Sequence, residues 1–274
     1  MDAVPEWIFG VDFSGARDAH RLIWVARCKP DGHGLVVLDC APVREIRGAR
    51  DRGAALMSLR KLVASEPDGL FGMDFPFSVP QEMWLGGDWV TFASTFTQRW
   101  TDPVMFRKRM LELTGRKEPK RRIGEDAKTP FCSVNLRIFR QTYYGIGRVL
   151  GPLLHYSKAR VLPFQRYEPG VATVIEVCPA STRGSIGIKS AGYKGRTSAC
   201  ADKRADVLRK LEGEFGVRIS NETLRERIVS DQGGDALDSV IAARAVLSAL
   251  QHGDLTTEAR DDVEAVKGRV YFRL

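Results

Sequence analysis

The sequence predicts an α/β fold, and three observations support this prediction. The first part of the chain contains three short apolar runs in close succession, at residues 7–13, 21–28 and 34–40, with the length and composition of strands. A helical period follows at residues 50–65, and further strand-like and helical patterns succeed one another up to residue 247. A hydrophobic share of 43% in 274 residues is enough for a substantial core.

The three N-terminal runs are predicted to form an antiparallel meander. Lys29-Pro30-Asp31-Gly32 separates the second run from the third and is a strong turn signal. Such short connections join antiparallel neighbours. Two more buried strands are predicted at residues 70–74 and 172–178, and a last edge strand at residues 268–274.

Helical periodicity predicts four further helices, and one stretch reads as a loop. The helices are expected at residues 136–155, 202–214, 221–228 and 235–247. Pro179 and the residues after it are expected to end the strand at 172–178. The glycine-rich, polar residues 184–197 are expected to form a flexible loop that carries several cations.

The middle of the chain, at about residues 81–168, is predicted to be a mainly helical, basic insertion in a single domain spanning residues 1–274. Between Arg99 and Arg148 there are 13 Lys and Arg residues against 5 Asp and Glu, an excess equal to the formal net charge of the whole chain, +8. Such a surface is either a solvated helical face or a cationic wall for nucleic acid, and charge alone favours neither. The candidate phosphate-binding side chains are Arg107, Lys108, Arg109, Lys120, Arg121, Arg122, Arg137 and Arg140.

Cysteine usage and the N-terminus indicate the compartment. The five cysteines are scattered and contain no Cys-x-x-Cys pair, which disfavours zinc fingers and a disulfide framework. The N-terminus lacks the features of a signal peptide, and no apolar run reaches the ~20 residues of a membrane helix. A cytoplasmic location and no membrane partner are therefore expected.

Carboxylates recur where predicted strands end and where a late helix begins. Asp12 and Asp74 each follow a short apolar run, and Glu176 lies within a third. Asp235 and Asp238 are three residues apart, so both project from one face of the last predicted helix. Asp235 is able to cap that helix, but Asp238 lies among apolar residues and needs a partner.

Carboxylates that are brought together repel one another unless cations bind between them. Without a cysteine or histidine cluster, an all-oxygen site suits Mg²⁺ or Mn²⁺ better than zinc. Two such ions ~3.5–4 Å apart activate a water and stabilise the leaving oxygen in phosphodiester cleavage. Any one of these aspartates is more often structural, and it is their recurrence at strand ends that indicates a site.

Three segments and their order resemble a known family. Gly10-Val11-Asp12-Phe13-Ser14-Gly15 resembles the first-strand acidic motif of the ribonuclease H-like superfamily. Residues 233–243, with Asp235 and Asp238, are similar to the final-helix motif of Holliday-junction resolvase-type nucleases. With residues 72–80 and 175–180 they resemble the family named domain of unknown function 429, described as predicted nucleases. The resemblance covers residues 7–80 and 172–247 and extends to residues 268–271.

The resemblance implies a mixed five-stranded sheet, three antiparallel strands and then parallel ones, flanked by helices. It implies that Asp12, Asp74, Asp235 and Asp238 are catalytic metal ligands. Glu176 is either a further ligand, an acceptor behind the ligands or a structural strand residue. The predicted function is hydrolysis of phosphodiester bonds in DNA or RNA by two Mg²⁺ or Mn²⁺ ions.

Two alternatives from other functional classes remain open. One is a non-catalytic module that binds nucleic acid. The other is an actin-like ATPase or sugar-kinase-type phosphotransferase, which shares the first-strand motif but needs two such domains and extra glycine-rich phosphate loops. Residues 184–187 and 192–195 are weak candidates for those loops. The sequence leaves the oligomeric state open.

Overall fold

The computed structural model describes residues 5–84, 86–117, 131–188, 192–255 and 268–274. The described residues form one sheet of eight strands, in the order β5-β6-β4-β1-β2-β3-β7, and β8 also pairs with β6. The strands are β1 (Ile8–Asp12), β2 (Trp24–Asp31), β3 (Gly34–Pro42), β4 (Leu70–Met73), β5 (Ala159–Leu162), β6 (Ala172–Val177), β7 (Val217–Ile219) and β8 (Val270–Tyr271).

Helices cover both faces of this sheet. In chain order they are α1 (Ala19–Leu22), α2 (Val43–Arg47), α3 (Arg52–Ala64), α4 (Trp89–Ser94), α5 (Phe96–Arg99), α6 (Pro103–Leu113), α7 (Phe139–Gly145), α8 (Gly151–His155), α9 (Pro179–Ser185), α10 (Ser198–Phe215), α11 (Glu222–Ser230) and α12 (Asp235–Gln251). A π-helical segment, Ile146–Leu150, joins α7 to α8. Within the described ranges, no helix is both long and apolar enough to span a membrane.

The sheet is mixed, as predicted. β1 pairs antiparallel with β2, and β2 pairs antiparallel with β3. β4 runs parallel to β1 on its other side, and β6 runs parallel to β4. The α/β class and the order of antiparallel strands followed by parallel ones are therefore confirmed.

The predicted number of five strands is wrong, because the described chain has eight. β5 lies inside the segment that was predicted to be a mainly helical insertion, and β7 lies between two helices. These strands have four and three residues, too few for an alternating pattern to be recognised. β8 lies within the edge strand predicted at residues 268–274 and has only two residues.

Three local predictions also need correction. The turn after β2 begins at Gly32, with φ of +59°, because β2 continues through Pro30 to Asp31. The helix predicted at residues 136–155 begins only at Phe139. β6 is followed directly by α9, which was not predicted, with Pro179 in its first turn. Proline favours that position, so Pro179 starts a helix as well as ending the strand.

The side chains of β1 divide between two cores. Phe9 and Val11 pack on the side that contains α3, where Phe9 stacks on Phe71 with ring centroids 4.4 Å apart. The same core includes aromatic residues of the inserted helices, namely Phe92, Phe96, Trp100, Phe106 and Tyr143. The inserted segment therefore shares its core with the central strands.

The opposite core is built around α12, which lies directly on the central strands. A Cβ atom added to Gly10 would lie 1.9 Å from the carbonyl oxygen of Ser239. One added to Gly72 would lie 2.5 Å from a methyl group of Val246. Only glycine allows such close packing of a helix on a strand, and this contact fixes where the first turn of α12 lies.

Candidate functional site

The two strand-end aspartates lie side by side at one edge of the sheet. Val11 of β1 is opposite Met73 of β4, and each is followed by an aspartate, Asp12 and Asp74. The backbone N–H of Asp74 donates to the carbonyl oxygen of Val11 over 3.0 Å. Parallel pairing therefore places both carboxylates at the carboxyl end of adjacent strands, where α/β proteins commonly bind ligands.

The first turn of α12 brings two more carboxylates to this edge. Asp235 and Asp238 both lie in that turn, and Gly234 precedes it with φ of +74°. The carboxylate of Asp231 accepts a hydrogen bond from the backbone N–H of Ala236 over 3.0 Å. The capping role considered for Asp235 is wrong, because Gly234 occupies the N-cap position and Asp235 is the first residue of the helix.

The ionisation of these groups shows that they act on one another. Burial, followed by the charges of Asp238, Asp235 and Asp74, raises the pKa of Asp12 well above its ordinary value. Burial, followed by the charge of Asp238, raises the pKa of Asp74 to about 7. Burial also raises the pKa of Asp235. The structure thus brings Asp74, Asp235 and Asp238 within electrostatic reach of Asp12.

Asp238 has the partners that its apolar surroundings demand. Arg183 of α9 forms an ion pair with it, and both side chains are about 95% buried. The hydroxyl of Tyr193 donates to Oδ2 of Asp238 over 2.9 Å. Nζ of Lys194 lies 3.1 Å from the same oxygen and 3.4 Å from Oδ1 of Asp235. Burial opposes the charge on Lys194, but Asp238 and Asp12 outweigh it and raise its pKa.

Sequence reasoning did not connect Arg183, Tyr193 or Lys194 with Asp238. Tyr193 and Lys194 were included only in the loop at residues 184–197 and in the weak phosphate-loop candidate at residues 192–195. The apolar surroundings of Asp238 did indicate that it needs a partner, but not which residues supply it. The loop is held in place by the backbone N–H of Gly195, which donates to the carbonyl of Gln232 over 2.8 Å. No spacing pattern in the sequence predicts this contact between Gly195 and Gln232.

Glu176 has a structural partner. It is 2% exposed, and its Oε2 accepts a hydrogen bond from the backbone N–H of Phe77 over 2.9 Å. This bond ties β6 to the segment that follows Asp74, and the charge of Glu176 contributes to the raised pKa of Asp74. The interpretation of Glu176 as an acceptor behind the site has this observation in its favour. Its role as a metal ligand stays a prediction.

The residues present are compatible with a hard divalent cation, although no complete site is arranged. Among the described residues, no group of three or more His, Cys, Asp or Glu side chains is placed to hold a metal ion. Among the residues that the structure describes, the carboxylates of Asp12 and Asp74 have no ion-pair or hydrogen-bond partner in another side chain, although Asp12 is only 9% exposed. Mg²⁺ is often held by one or two carboxylates with water and substrate phosphates completing its shell. Asp12 and Asp74 fit that pattern.

The predicted phosphate-binding residues that are described lie on or beside α6 and α7. Arg107, Lys108 and Arg140 line a groove of 450 Å³ between these helices. Arg109 pairs instead with Glu112 at 3.2 Å, and the guanidinium of Arg137 lies 5.1 Å from the ring centre of Phe131. Lys120, Arg121 and Arg122 lie outside the described residues.

Cys178 does not qualify as a nucleophile. Burial, followed by the charge of Asp74, raises the pKa of its thiol to about 12. The hydroxyl of Ser181 donates to its sulfur over 3.1 Å. A buried thiol with a raised pKa forms little thiolate at neutral pH and is therefore a poor nucleophile.

Comparison with known proteins adds no relative. No model of a protein family, no curated protein and no solved structure matches this chain. Its class is therefore defined by its own fold and site, as an α/β protein with a mixed sheet flanked by helices and a cluster of aspartates at the carboxyl edge.

Proposed function

We propose that this protein is a metal-dependent nuclease of the ribonuclease H-like type. The observation that carries the proposal is the meeting of Asp12, Asp74, Asp235 and Asp238 at one edge of the sheet, where the charges of the other three raise the pKa of Asp12. Mutually repelling, buried carboxylates are costly to keep unless they bind a cation. Their presence together at the edge of the sheet therefore favours a metal-binding role over a purely structural one.

The strand order supports the same proposal. The central strands run in the order β3-β2-β1-β4-β6, with the first three antiparallel and the last two parallel to β1. This is the arrangement that the resemblance to ribonuclease H-like proteins implies. Asp12, the first of the four aspartates, is the last residue of the central strand β1, as the resemblance also implies.

Asp12 and Asp74 would hold Mg²⁺ or Mn²⁺, and Asp235 and Asp238 would contribute from α12. When bound, such ions supply a nucleophile at neutral pH and stabilise the leaving oxygen of a phosphodiester. Asp238 already forms an ion pair with the buried guanidinium of Arg183. We therefore place Asp12 and Asp74 foremost among the metal ligands. Glu176 keeps the chain after Asp74 in position through Phe77.

The three side chains that contact Asp238 have different roles in this proposal. Arg183 and Tyr193 are buried and orient the Asp238 carboxylate. The side chain of Lys194 is half exposed, so its ammonium is able to turn from Asp235 and Asp238 toward a substrate phosphate. A lysine acts on phosphate as a mobile point charge, which suits this role.

The groove between α6 and α7 would bind the strand beyond the cleaved bond. Lys108 and Arg140 are exposed at its rim, and Leu136 is 64% exposed beside them. Cations next to apolar surface are typical of single-strand binding, where phosphates and bases are both contacted. DNA and RNA are both compatible with these contacts.

The decisive experiment compares wild type with Asp12→Asn in cleavage of single-stranded and duplex DNA and RNA, with Mg²⁺ or Mn²⁺. We expect wild-type cleavage and a loss of about 100-fold or more in Asp12→Asn, since even residues behind metal ligands contribute 10–100-fold. Asp202→Asn removes an exposed carboxylate on α10 and is the matched control. A second readout is the rise in Tm on adding Mg²⁺, which Asp12→Asn should reduce and Asp202→Asn should not.

Equal cleavage by wild type and Asp12→Asn would refute the mechanism. Lys194 already neutralises part of the cluster, and this favours the non-catalytic binding module as the second candidate. That module predicts nucleic-acid binding with no cleavage and no Mg²⁺-dependent rise in Tm. ATP hydrolysis without nucleic-acid cleavage would favour the phosphotransferase alternative.

A further inference from the structure

A second polar cavity lies between α3, α6 and α7, and none of the four clustered aspartates lines it. Its volume is 610 Å³, within the range of ligand-binding pockets. Four arginines line it, namely Arg17, Arg52, Arg60 and Arg148. None of these residues is among the phosphate-binding candidates that the sequence suggested. The cavity therefore calls for an explanation of its own.

Two aspartates also line the cavity, but both are engaged elsewhere. Oδ1 of Asp51 accepts the backbone N–H of Ala54 over 2.8 Å and caps α3. Oδ1 of Asp102 accepts two backbone N–H groups over 2.8 Å and caps α6. Within the described part of the chain, none of the four arginines forms a salt bridge with a carboxylate. Four arginines against two aspartates leave a net charge of +2.

Two of the arginines are partly buried or held by neighbours without being neutralised by a carboxylate of the described residues. The guanidinium of Arg52 lies 3.9 Å from the ring centre of Tyr144 and donates to the carbonyl of Gly15 over 3.4 Å. Nε of Arg60 is buried and has no hydrogen-bond partner. Burial and the nearby charge of Arg148 lower the pKa of Arg60. Arginines that repel one another around an open cavity are typical of an anion site.

We propose that this arginine cavity binds a terminal phosphate group. A phosphomonoester carries a charge of about −1.5 to −2 at neutral pH, which matches the net charge of the lining. The planar guanidinium group is also the side chain best suited to bidentate phosphate recognition. A phosphodiester inside a strand carries a single charge and would leave the cavity half neutralised.

The phosphate has two chemical sources, the end of a nucleic-acid strand or a small molecule such as a mononucleotide. The cavity is close to the loop after Asp12, because Arg52 reaches Gly15 and a Cβ at Gly15 would lie 2.5 Å from the backbone of Arg140. A strand end held here would lie beside that loop. The proposal does not rest on nuclease activity, since phosphate binding is measured without cleavage.

The test measures the affinity of the full chain for three probes in EDTA. They are adenosine 5′-monophosphate, a 5′-phosphorylated single-stranded oligonucleotide and the same oligonucleotide with a 5′-hydroxyl. Arg60→Gln alters the interior of the cavity, and Arg17→Gln with Arg148→Gln alters exposed positions at which folding is not at risk. Arg209→Gln, with a side chain 71% exposed on α10, is the charge-matched control.

We expect the cavity variants to bind the phosphorylated probes about 10-fold more weakly, because hydrogen bonds to charged groups contribute that much. Arg209→Gln should bind like wild type. Weakening for both phosphorylated probes, or for the phosphorylated oligonucleotide alone, identifies a strand end as a ligand. Weakening for the mononucleotide alone identifies a small phosphorylated molecule.

Two results would overturn the proposal. One is unchanged affinity for both phosphorylated probes in the exposed double variant. The other is an equal loss for the phosphorylated and hydroxyl oligonucleotides, since this would assign the arginines to the strand backbone. Failure of cleavage in the Asp12 experiment leaves these outcomes unaffected, so the two proposals fail separately.

Discussion

Charge compensation differs from one aspartate of the cluster to the next. Asp238 is bound by Arg183, Tyr193 and Lys194, and breaking such a buried pair generally costs about 3–5 kcal/mol because one charge is left alone. Asp12 and Asp74 have no ion pair within the described residues and keep raised pKa values. The uncompensated charge of the site is therefore at the strand ends, where a cation would be most stabilised.

Asp74→Asn should stabilise the metal-free protein at high pH. The pKa of Asp74 is about 7 in the folded protein against an ordinary 3.8, so the folded state retains a proton in this window that the unfolded state has lost. The free energy of unfolding therefore decreases as the pH rises from 3.8 toward 7. In EDTA, the gain in Tm of Asp74→Asn over wild type should be larger at pH 8 than at pH 5, by about 2–4 °C or more.

The control for this effect is Asp202→Asn, whose Tm difference from wild type should be the same at both pH values. A gain for Asp74→Asn that is identical at pH 5 and pH 8 would contradict the placement of Asp74 among buried charges. Mg²⁺ should reduce the gain at pH 8, because a bound cation removes the repulsion that the substitution relieves.

At the scale of elements, the packing of α12 on β1 and β4 decides where the site forms. The helix approaches so closely at Gly10 and Gly72 that neither position has room for a methyl group. Its first turn therefore lies over the carboxyl ends of both strands and carries Asp235 and Asp238 to Asp12. α9 and the residues that follow it complete the cluster from the other side with Arg183 and Lys194.

Gly10→Ala should destabilise the fold by about 3 kcal/mol or more, the upper range for overpacked cores, because the new Cβ would meet the backbone of α12 at 1.9 Å. Denaturant unfolding measures the loss. Gly213→Ala is the control, since it lies in α10 with no atom within 4 Å of the added methyl. It should stabilise by about 0.5–1 kcal/mol. Equal effects of the two substitutions would contradict the close contact.

At the scale of the whole molecule, the aspartate cluster and the two arginine-lined surfaces lie in different places. The acidic cluster occupies the carboxyl edge of the sheet. The cationic surfaces lie on the inserted helices and on α3, on the side of the sheet opposite to the core of α12. The cationic surfaces would bind the phosphates of an anionic strand, and one segment of that strand would then lie beside the carboxylates.

Lys108→Gln with Arg140→Gln should reduce the salt dependence of single-strand binding. Each phosphate contact contributes about 0.7 to the slope of log K against log salt, so losing two contacts should reduce the slope by about 1.4. The control pair, Arg209→Gln with Lys210→Gln, removes two charges from α10 in the other layer and should leave the slope unchanged. An unchanged slope in the groove variant would exclude these side chains from phosphate contact.

Much of the site could be predicted because it lies where patterns are local. Asp12 and Asp74 end apolar runs, and Asp235 and Asp238 have helical spacing, so topology alone brings them to one edge. Arg183, Tyr193 and the arginine cavity could not be predicted in this way. Their partners are distant in the chain, since Arg183 and Asp238 are 55 positions apart, and long-range contacts leave no periodic signal.

By itself, the sequence determined the α/β class, the antiparallel meander and the identity of the four aspartates. These follow from hydrophobic periodicity and from strand ends, which are properties of neighbouring residues. The tertiary structure alone decided the additional strands β5 and β7, the partners of Asp238 and the arginine-lined cavity. Burial and distance between remote segments set the energies of charges, and only the folded chain determines both.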